Sequence, residues 1–377
     1  MKQTEDNMAK VEVAFAKSST DFDTTFIETG NIGLDMAVSN GRGLPSNGCV
    51  LLHSEPGAGK STICADAIRR ILTRCHKENI PFKVIYIDVE GSTEMLKKMG
   101  LAKFVDEEYG NRLLYKCGYT NFSELEAISN GIMSGDETYK DVKLIVIDSI
   151  TMITSKQEEE AELEKGDFGT ANRVRYAWYK RQVALLKSLG VSLLLISQER
   201  VKQNAGPVNP YAEKNKSASG MGDEHYADVI LKLTKSESAQ RKGINKEKIK
   251  ASTSEDLIEM TPVFITKFKA GKNRYSRVGE IEILVAFGKG VLNKYILTIM
   301  LERYGLLKSA KGSRKGSHWV SEELLAFVGA EYKNEGTDEE FHRWIVENIS
   351  KITEYLKIND LYRSLPDDAF SSVTVDE

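Results

Sequence analysis

Cysteine is scarce in this chain, and long apolar runs are absent. The four cysteines among 377 residues form no C-x-x-C pair, which argues against a zinc ribbon and a disulfide framework. No apolar run reaches membrane-spanning length, and the first ten residues, MKQTEDNMAK, lack the apolar segment of a signal peptide. We therefore expect a cytoplasmic protein without membrane contact.

Positive charge is not in excess either. The 52 Lys and Arg residues are outnumbered by 55 Asp and Glu residues, which gives a formal net charge of −3. No global basic field draws the chain to nucleic acid, so any site for a polyanion must be a local stripe of charge. The composition, 41% hydrophobic and 28% charged, is that of an ordinary folded protein, and the length allows two domains.

Strand-like and helix-like stretches alternate through the middle of the chain. Several strand-like runs are almost wholly apolar, as expected for strands covered on both faces. The alternation predicts an α/β fold with a mostly parallel central sheet and flanking helices. Two later runs, 262–268 and 280–286, predict an antiparallel extension. The other strand candidates are 48–52, 83–88, 143–148, 191–197 and 227–233, and the amphipathic stretches include 62–76, 122–134 and 171–189.

The amino-acid composition also indicates where the boundaries between domains lie. Residues 1–23 are polar with one short apolar patch, and we interpret them as an arm that could contact another subunit. The core is predicted at 24–292. From Asn293 the pattern becomes helical, which predicts a small C-terminal helical domain at 293–366 and an acidic flexible tail at 367–377.

Residues 54–62, SEPGAGKST, are typical of a phosphate-binding loop. They follow an apolar run and open a helix-compatible stretch, so backbone N–H groups and the helix N-terminus converge on an anion. Lys60 supplies charge to the β- and γ-phosphates, and Ser61 can bind Mg²⁺. Ser54 stands where the pattern has its first glycine. The predicted phosphate-binding residues are Glu55, Pro56, Gly57, Ala58, Gly59, Lys60, Ser61 and Thr62.

Polar residues occur where three apolar strands end, and ligands bind at this edge of a parallel sheet. Asp148, followed by Ser149, can hold Mg²⁺ next to the phosphate loop. Glu90 lies two residues after Asp88, so both share a face if the strand continues, and a carboxylate here can polarise the attacking water. Gln198 can contact the γ-phosphate and pass the signal into the following loop.

The order of these motifs resembles that of the RecA-family recombinases, and the helical end from Asp338 onward is most similar to the phage members. The similarity covers Thr24 to Val320. It is carried by ETGNIGLDMAVSNGRGLP, the phosphate loop, IDVE, VIDSI, EEEAELEKGDFG, LISQER, SGMGDEHYADVIL, ITKFKAGKNRY and LERYGLLKSAKGSRKGSHWV. The resemblance implies a RecA-like ATPase core that uses ATP and Mg²⁺.

The resemblance also implies specific roles for the residues of the ATP site. Lys60 and Ser61 would hold phosphate and metal, Asp148 the metal, and Glu90 would be the catalytic base. Gln198 would sense the γ-phosphate. The family completes this site across a subunit boundary with two lysines, which Lys267 and Lys269 match. These lysines are two apart on a strand-like run and so share a face.

A basic segment with aromatic residues, Ala171 to Arg181, is a candidate DNA contact. Taken alone, the segment fits a solvated charged face with a buried tryptophan at least as well, and the resemblance favours the DNA contact. Arg173 and Lys180 lie two helical turns apart on one face, with Arg175 between them. The opposite face is expected to be an apolar stripe of Val174, Trp178, Leu185 and Leu189. The resemblance implies DNA-binding loops near 158–170 and 199–222. The DNA-binding candidates are Arg173, Arg175, Lys180, Arg200, Lys202, Lys214, Lys216, Ser219, Gly220, Met221 and Gly222.

Three functions are compatible with these residues. The preferred hypothesis is a DNA-dependent ATPase that forms a helical homopolymer on single-stranded DNA and exchanges strands with double-stranded DNA, assisted by single-strand-binding and mediator proteins. A ring-forming helicase or regulatory ATPase is the second, but ring helicases use a trans arginine rather than paired lysines. The third is a metabolite kinase, and two long basic loops argue against it because such an enzyme binds a small molecule and does not require them.

Overall fold

The computed structural model describes residues 24–155, 168–201, 215–217, 225–235, 263–276, 280–286, 288–309, 318–332, 338–359 and 361. Its strands, in chain order, are β1 (Phe26–Ile27), β2 (Leu44–Pro45), β3 (Cys49–Ser54), β4 (Lys83–Asp88), β5 (Leu113–Cys117), β6 (Val142–Asp148), β7 (Ser192–Val201), β8 (Asn215–Ser217), β9 (Val229–Lys235), β10 (Val263–Asn273), β11 (Glu280–Ala286), β12 (Gly290–Val291), β13 (Leu307–Ser309) and β14 (His318–Val320).

The helices surround this set of strands. They are α1 (Ile32–Ser39), α2 (Lys60–Lys77), α3 (Thr93–Lys98), α4 (Phe122–Ser134), α5 (Phe168–Trp178), α6 (Ala184–Ser188), α7 (Asn293–Arg303), α8 (Glu322–Val328) and α9 (Asp338–Ile358). A π-helical segment, Tyr179–Val183, joins α5 to α6. Among the described helices, none is both long enough and apolar enough to cross a lipid bilayer.

Within the described residues, one sheet of ten strands forms the centre of the protein. Its order is β12-β11-β10-β9-β3-β7-β6-β4-β5, and β8 pairs with β7 outside this path. The strands from β9 to β5 run parallel, whereas β10, β11 and β12 are antiparallel. The predicted parallel sheet with an antiparallel extension is confirmed. β5 was missed, because its sequence LLYKC is mostly half-buried and lacks a continuous apolar run.

Alternate residues of the central strands enter two different cores. Leu52, Val84 and Val146 pack with α2 on one face of the sheet. Leu51 and Ile85 belong to the other core, together with Trp178 and Leu186. Because both faces are covered, the apolar side chains of these strands are removed from water, which contributes about 1.5–3 kcal/mol for each large aliphatic group. The sheet is therefore a rigid support for residues at its carboxyl edge.

Helix α7 belongs to the first of these cores, although the sequence predicts a domain boundary at its start. Ile296 and Met300 are fully buried in the same apolar cluster as Leu34 of α1 and Ile283 of β11. A Cβ added at Gly33 would lie 2.2 Å from Ile283 Cγ2, so α1 reaches the sheet only with glycine there. Phe341, Ile352 and Leu356 of α9 extend this cluster.

The buried carboxylate of Asp66 holds α2 against the end of the sheet. It accepts hydrogen bonds from Arg69 at 2.7 Å, from Arg70 at 2.9 Å and from the backbone N–H of Val291 at 3.2 Å. Arg70 also donates to the Val291 carbonyl at 3.0 Å. Gly290 must be a glycine, because its φ is 104° and a Cβ would lie 2.4 Å from Asp66. These contacts fix the helix that begins in the phosphate loop.

The apolar stripe predicted along the basic helix is wrong beyond Trp178. Val183 and Leu186 are buried there, whereas Leu185 is half-buried and Leu189 is 38% exposed. The π-helical segment Tyr179–Val183 inserts about one extra residue into the turn, which rotates the following residues away from the α-helical phase. A pattern with a period of 3.6 residues cannot anticipate this shift.

Candidate nucleotide site

The phosphate loop joins the end of β3 at Ser54 to the start of α2 at Lys60. Gly57 and Gly59 have φ values of 79° and 89°, in the left-handed region that favours glycine. Gly59 is the N-cap of α2 and provides no side-chain cap, so the amino end of the helix, with its partial positive charge, lies in the loop. The turn thus has the geometry of an anion-binding loop.

Lys60 lies inside the curve of this loop, only 7% exposed. Its Nζ donates to the Ser54 carbonyl at 3.0 Å, to Ser54 Oγ at 2.8 Å and to the Glu55 carbonyl at 3.2 Å. The serine that replaces the first glycine of the pattern therefore supplies an acceptor for the lysine. The ammonium group is held by three oxygens at the place where the β- and γ-phosphates of a nucleotide would lie.

Asp148 ends β6 beside this loop and is 1% exposed. Burial raises the pKa of its carboxyl from 3.8 to about 6, and the charge of Glu90 adds to this effect. The hydroxyls of Ser61 and Tyr86 lower the pKa and so favour the ionised form. Asp148 therefore lies close to Ser61, the other predicted metal ligand, at the phosphate loop.

One oxygen of Asp148 fits a metal ion. Tyr86 donates to Oδ2 at 3.1 Å, whereas Oδ1 is buried without a hydrogen-bond partner in the described part of the chain. A buried carboxylate oxygen with no hydrogen-bond partner among the described residues, on a carboxyl group that also interacts with the Ser61 hydroxyl, matches the hard oxygen ligands of Mg²⁺. The described residues contain no group of three or more His, Cys, Asp or Glu side chains that could hold a metal ion. The remaining ligands of Mg²⁺ would thus be phosphate oxygens and water.

Glu90 and Gln198 are in direct contact at the carboxyl edge of the sheet. The Gln198 Nε2 donates to Glu90 Oε1 at 2.5 Å. Glu90 is exposed and Gln198 is half-buried, so the carboxylate remains accessible to water. Glu90 would share a face with Asp88 only if the strand continued, and this condition is not met, because β4 ends at Asp88 and a turn with Gly91 at φ 77° follows.

Asp88 therefore has a structural role. It is fully buried and accepts from the Gly91 N–H and the Tyr115 hydroxyl, both at 2.8 Å. Ser149 is also fully buried, and its hydroxyl is 2.9 Å from that of Thr151. Sequence reasoning missed Tyr86 and Tyr115. For Tyr86 the available signal was a hydroxyl-bearing residue inside a mostly apolar strand, whereas the strand of Tyr115 was itself missed.

On β10, the backbone positions of Lys267 and Lys269 lie near the edge of the sheet at which β3 ends and the phosphate loop begins. Lys267 pairs with Thr234 near the end of β9, and Lys269 pairs with Lys232. Lys232 in turn pairs across β9 and β3 with His53, next to the phosphate loop. Both lysines thus lie on one face at the carboxyl edge, two strands away from β3.

The candidate DNA contacts fall into three groups. Arg173 and Lys180 are exposed, whereas Arg175 is 5% exposed and does not share their surface. Arg200 on β7 pairs with Lys216 on β8 in an antiparallel register, so the backbone after Gln198 continues as a hairpin strand. The predicted contacts at Lys202, Lys214, Ser219, Gly220, Met221 and Gly222 lie outside the described residues, as does most of the predicted loop at 158–170.

Comparison with known proteins decides the family. The family model of the RecA N-terminal domain matches residues 1–259, well over half of the chain. The chain belongs to the RecA family.

Individual RecA proteins are similar over most of their length. Protein RecA of Mycoplasma pneumoniae is 24% identical over 307 residues, which cover 80% of each chain. Protein RecA of Ectopseudomonas oleovorans is 25% identical over 84% of this chain and 82% of its own. That of Prochlorococcus marinus is 24% identical over 85% and 73%, respectively. The resemblance to RecA-family recombinases is confirmed, and the assignment to the phage members stays a prediction.

Proposed function

We propose that this RecA-family protein is an ATP-dependent recombinase that polymerises on single-stranded DNA and promotes homologous pairing and strand exchange. The observation that carries the proposal is the hydrogen bond between Gln198 and Glu90. It joins Glu90, the proposed catalytic base, to the strand that leads toward the predicted second DNA-binding loop. ATP hydrolysis and DNA binding would therefore be linked through one side-chain contact.

The phosphates of ATP would be bound by the loop at 55–62. Its backbone N–H groups, the amino end of α2 and the Lys60 ammonium group all provide positive charge at this point. Ser61 and Asp148 would hold Mg²⁺, which supplies charge neutralisation to the β- and γ-phosphates. The free Oδ1 of Asp148 supports this assignment.

Glu90 is proposed as the catalytic base. Because its carboxylate is exposed beside the phosphate loop, it can orient a water molecule and accept a proton as that water attacks the γ-phosphate. Gln198 would hold Glu90 in place through its amide N–H while the γ-phosphate competes for the same amide. Exchange between these two partners would change the conformation of the strand after Gln198.

Lys267 and Lys269 are proposed to complete the site of a neighbouring subunit. Their backbone positions on one face of β10, at the carboxyl edge of the sheet, allow both ammonium groups to project in one direction. Two cations near the γ-phosphate would neutralise charge that develops during phosphoryl transfer. Hydrolysis would then require contact between subunits, as expected for a filament.

Arg173 and Lys180 are proposed to contact the DNA backbone, together with the loop at 199–222. Both side chains are exposed on the helix that follows the predicted first loop. Phosphate contacts of this kind do not depend on base sequence, which suits a protein that leaves sequence recognition to base pairing. Arg175 would support the helix from inside rather than contact DNA.

The direct test measures ATP hydrolysis by the full-length protein with and without single-stranded DNA, and images the same samples by electron microscopy. We expect DNA-stimulated hydrolysis and helical filaments in the presence of a non-hydrolysable ATP analogue. The Lys60→Ala variant is expected to lose hydrolysis, whereas Lys77→Ala, at the exposed end of the same helix, should retain it. Closed rings would favour the helicase alternative, and a strict monomer with DNA-independent turnover would contradict the proposal.

A further inference from the structure

Tyr86 places a polar hydroxyl inside one of the most buried layers of the protein. It lies on β4, is 1% exposed, and belongs to the apolar cluster between the sheet and α2. A buried phenol hydroxyl needs a hydrogen-bond partner, since leaving it unpaired costs about 1–3 kcal/mol. The partner is Asp148 Oδ2, at 3.1 Å.

This hydrogen bond makes the two carboxylate oxygens of Asp148 different from each other. Oδ2 accepts from Tyr86, whereas Oδ1 is buried with no hydrogen-bond partner among the described residues. A carboxylate can rotate about its Cβ–Cγ bond, so a donor fixed on one oxygen also fixes the direction of the other. Groups that orient a metal ligand in this way are a common part of metal sites.

The neighbouring carboxylate has no such free oxygen. Asp88 pairs with Asp148 in the register of β4 and β6. Its Oδ2 accepts from Tyr115, and its Oδ1 accepts from the Gly91 N–H, both at 2.8 Å. The Tyr115 and Tyr86 rings lie 6.0 Å apart. Two adjacent tyrosines therefore each donate a hydrogen bond to one of two adjacent carboxylates. Both oxygens of Asp88 accept a hydrogen bond, whereas only Oδ2 of Asp148 does so among the described residues.

We propose that Tyr86 is a positioning residue for the magnesium ion, because its hydroxyl fixes the Asp148 carboxylate with Oδ1 presented to the metal. The inference rests on the proposed function, in which Asp148 and Ser61 hold Mg²⁺ with ATP. Tyr86 itself touches neither the metal nor the nucleotide. Its contribution is to the affinity for Mg²⁺ rather than to the binding of phosphate by the loop.

The test uses the full-length protein and a fluorescent ATP analogue, whose binding is titrated with Mg²⁺ and also measured in excess chelator. The variant is Tyr86→Phe, which removes the hydroxyl but keeps the ring and its packing. The matched control is Tyr115→Phe, which removes the corresponding hydroxyl from Asp88. We expect Y86F to need about 10-fold or more Mg²⁺ for half-maximal binding, while Y115F stays near the wild-type value.

The readout without metal separates positioning from a structural role. In chelator, Y86F and the wild type should bind the analogue equally, because the loop and Lys60 are unchanged. In an Asp148→Asn background, adding Y86F should leave the Mg²⁺ requirement unchanged, because the ligand that Tyr86 orients is already lost. This second variant keeps the test decisive if the single change also lowers stability.

Three outcomes would overturn the inference. Y86F could show the wild-type Mg²⁺ requirement, Y115F could shift by the same factor, or Y86F could lose affinity equally with and without metal. A different result would count against the proposed function itself, namely wild-type protein that binds the analogue without any dependence on Mg²⁺. The two failures are therefore distinguishable in one set of titrations.

Discussion

Gln198 donates a hydrogen bond of 2.5 Å to Glu90, a residue 108 positions away in the chain. Gln198 lies on β7 and Glu90 follows β4, and β6 separates these two strands in the sheet. The contact therefore forms above the end of β6, where Asp148 lies. The proposed catalytic base, the proposed γ-phosphate sensor and the proposed metal ligand are neighbours because three parallel strands end at one edge.

Loss of the Gln198 amide should uncouple DNA binding from hydrolysis. In Gln198→Ala, Glu90 loses its hydrogen-bond donor and the strand after residue 198 loses its link to the γ-phosphate. We expect stimulation of ATP hydrolysis by single-stranded DNA to fall by about 10-fold or more, with ATP binding retained. The control is Gln182→Ala, since Gln182 also bonds a glutamate, Glu126, at 3.3 Å but away from the site. Stimulation unchanged in Gln198→Ala would contradict the coupling.

Two inactive proteins should restore each other if Lys267 and Lys269 act across a subunit boundary. Lys60→Ala lacks a working phosphate loop, and the double variant Lys267→Ala/Lys269→Ala lacks the trans cations. In a random equimolar filament, about one quarter of the head-to-tail interfaces combine an intact loop with intact lysines. Hydrolysis should therefore reappear on mixing with single-stranded DNA. If the mixture stays as inactive as its components, the lysines act within their own subunit or not at all.

The exposed cations of the basic helix should contribute to DNA affinity as phosphate contacts. Arg173→Ala and Lys180→Ala are each expected to weaken binding of single-stranded DNA for all base sequences and to reduce the salt dependence by about one unit of slope. Lys140→Ala is a suitable control, because Lys140 is exposed before β6, at the opposite edge of the sheet. Titrations at several salt concentrations measure both quantities. An unchanged slope in both variants would remove these residues from the interface.

Stability should fall as pH rises from about 4 to about 7 because of Asp35. Burial raises the pKa of this carboxyl from 3.8 to about 7, against the hydrogen bonds from Thr29. The folded protein therefore binds a proton that the unfolded chain releases between about pH 4 and 7. The free energy of unfolding loses about 4 kcal/mol at most over this window.

Denaturant unfolding from pH 5 to 8 compares the wild type with Asp35→Asn, in which this slope should be absent. The control is Asp136→Asn, because backbone hydrogen bonding from Thr138 lowers the pKa of the exposed Asp136 below 3.8, outside the window. Asp136→Asn should keep the wild-type slope. A wild-type slope retained in Asp35→Asn would show that another group titrates.

Much of the site was predictable because its chemistry is local in sequence. The phosphate loop needs only a strand, two glycines with positive φ and a lysine at the start of a helix, all within residues 49–60. Asp148 and Gln198 were recognisable because apolar strands end at them. Glu90 was recognisable as a carboxylate that follows an apolar strand, but the strand stops at Asp88, so the turn after it and not the strand positions the side chain.

Other features of the molecule could be recognised only in the folded structure. The π-helical segment changes which residues of the basic helix are buried, and nothing in its hydrophobic pattern indicates the added residue. The acceptor that Ser54 provides for Lys60 depends on how tightly the loop curves. The contacts of Tyr86 on β4 and Tyr115 on β5 depend on the register that brings Asp88 and Asp148 side by side.

The sequence by itself determined the alternation of helices with most of the central strands, the phosphate loop and the family, because these depend on residues close together along the chain or on motifs in a fixed order. Only the tertiary structure decided which polar groups meet: Gln198 with Glu90, Tyr86 with Asp148, and Tyr115 with Asp88. These pairs join segments far apart in sequence, and their distances depend on strand order and register, which hydrophobic periodicity does not encode.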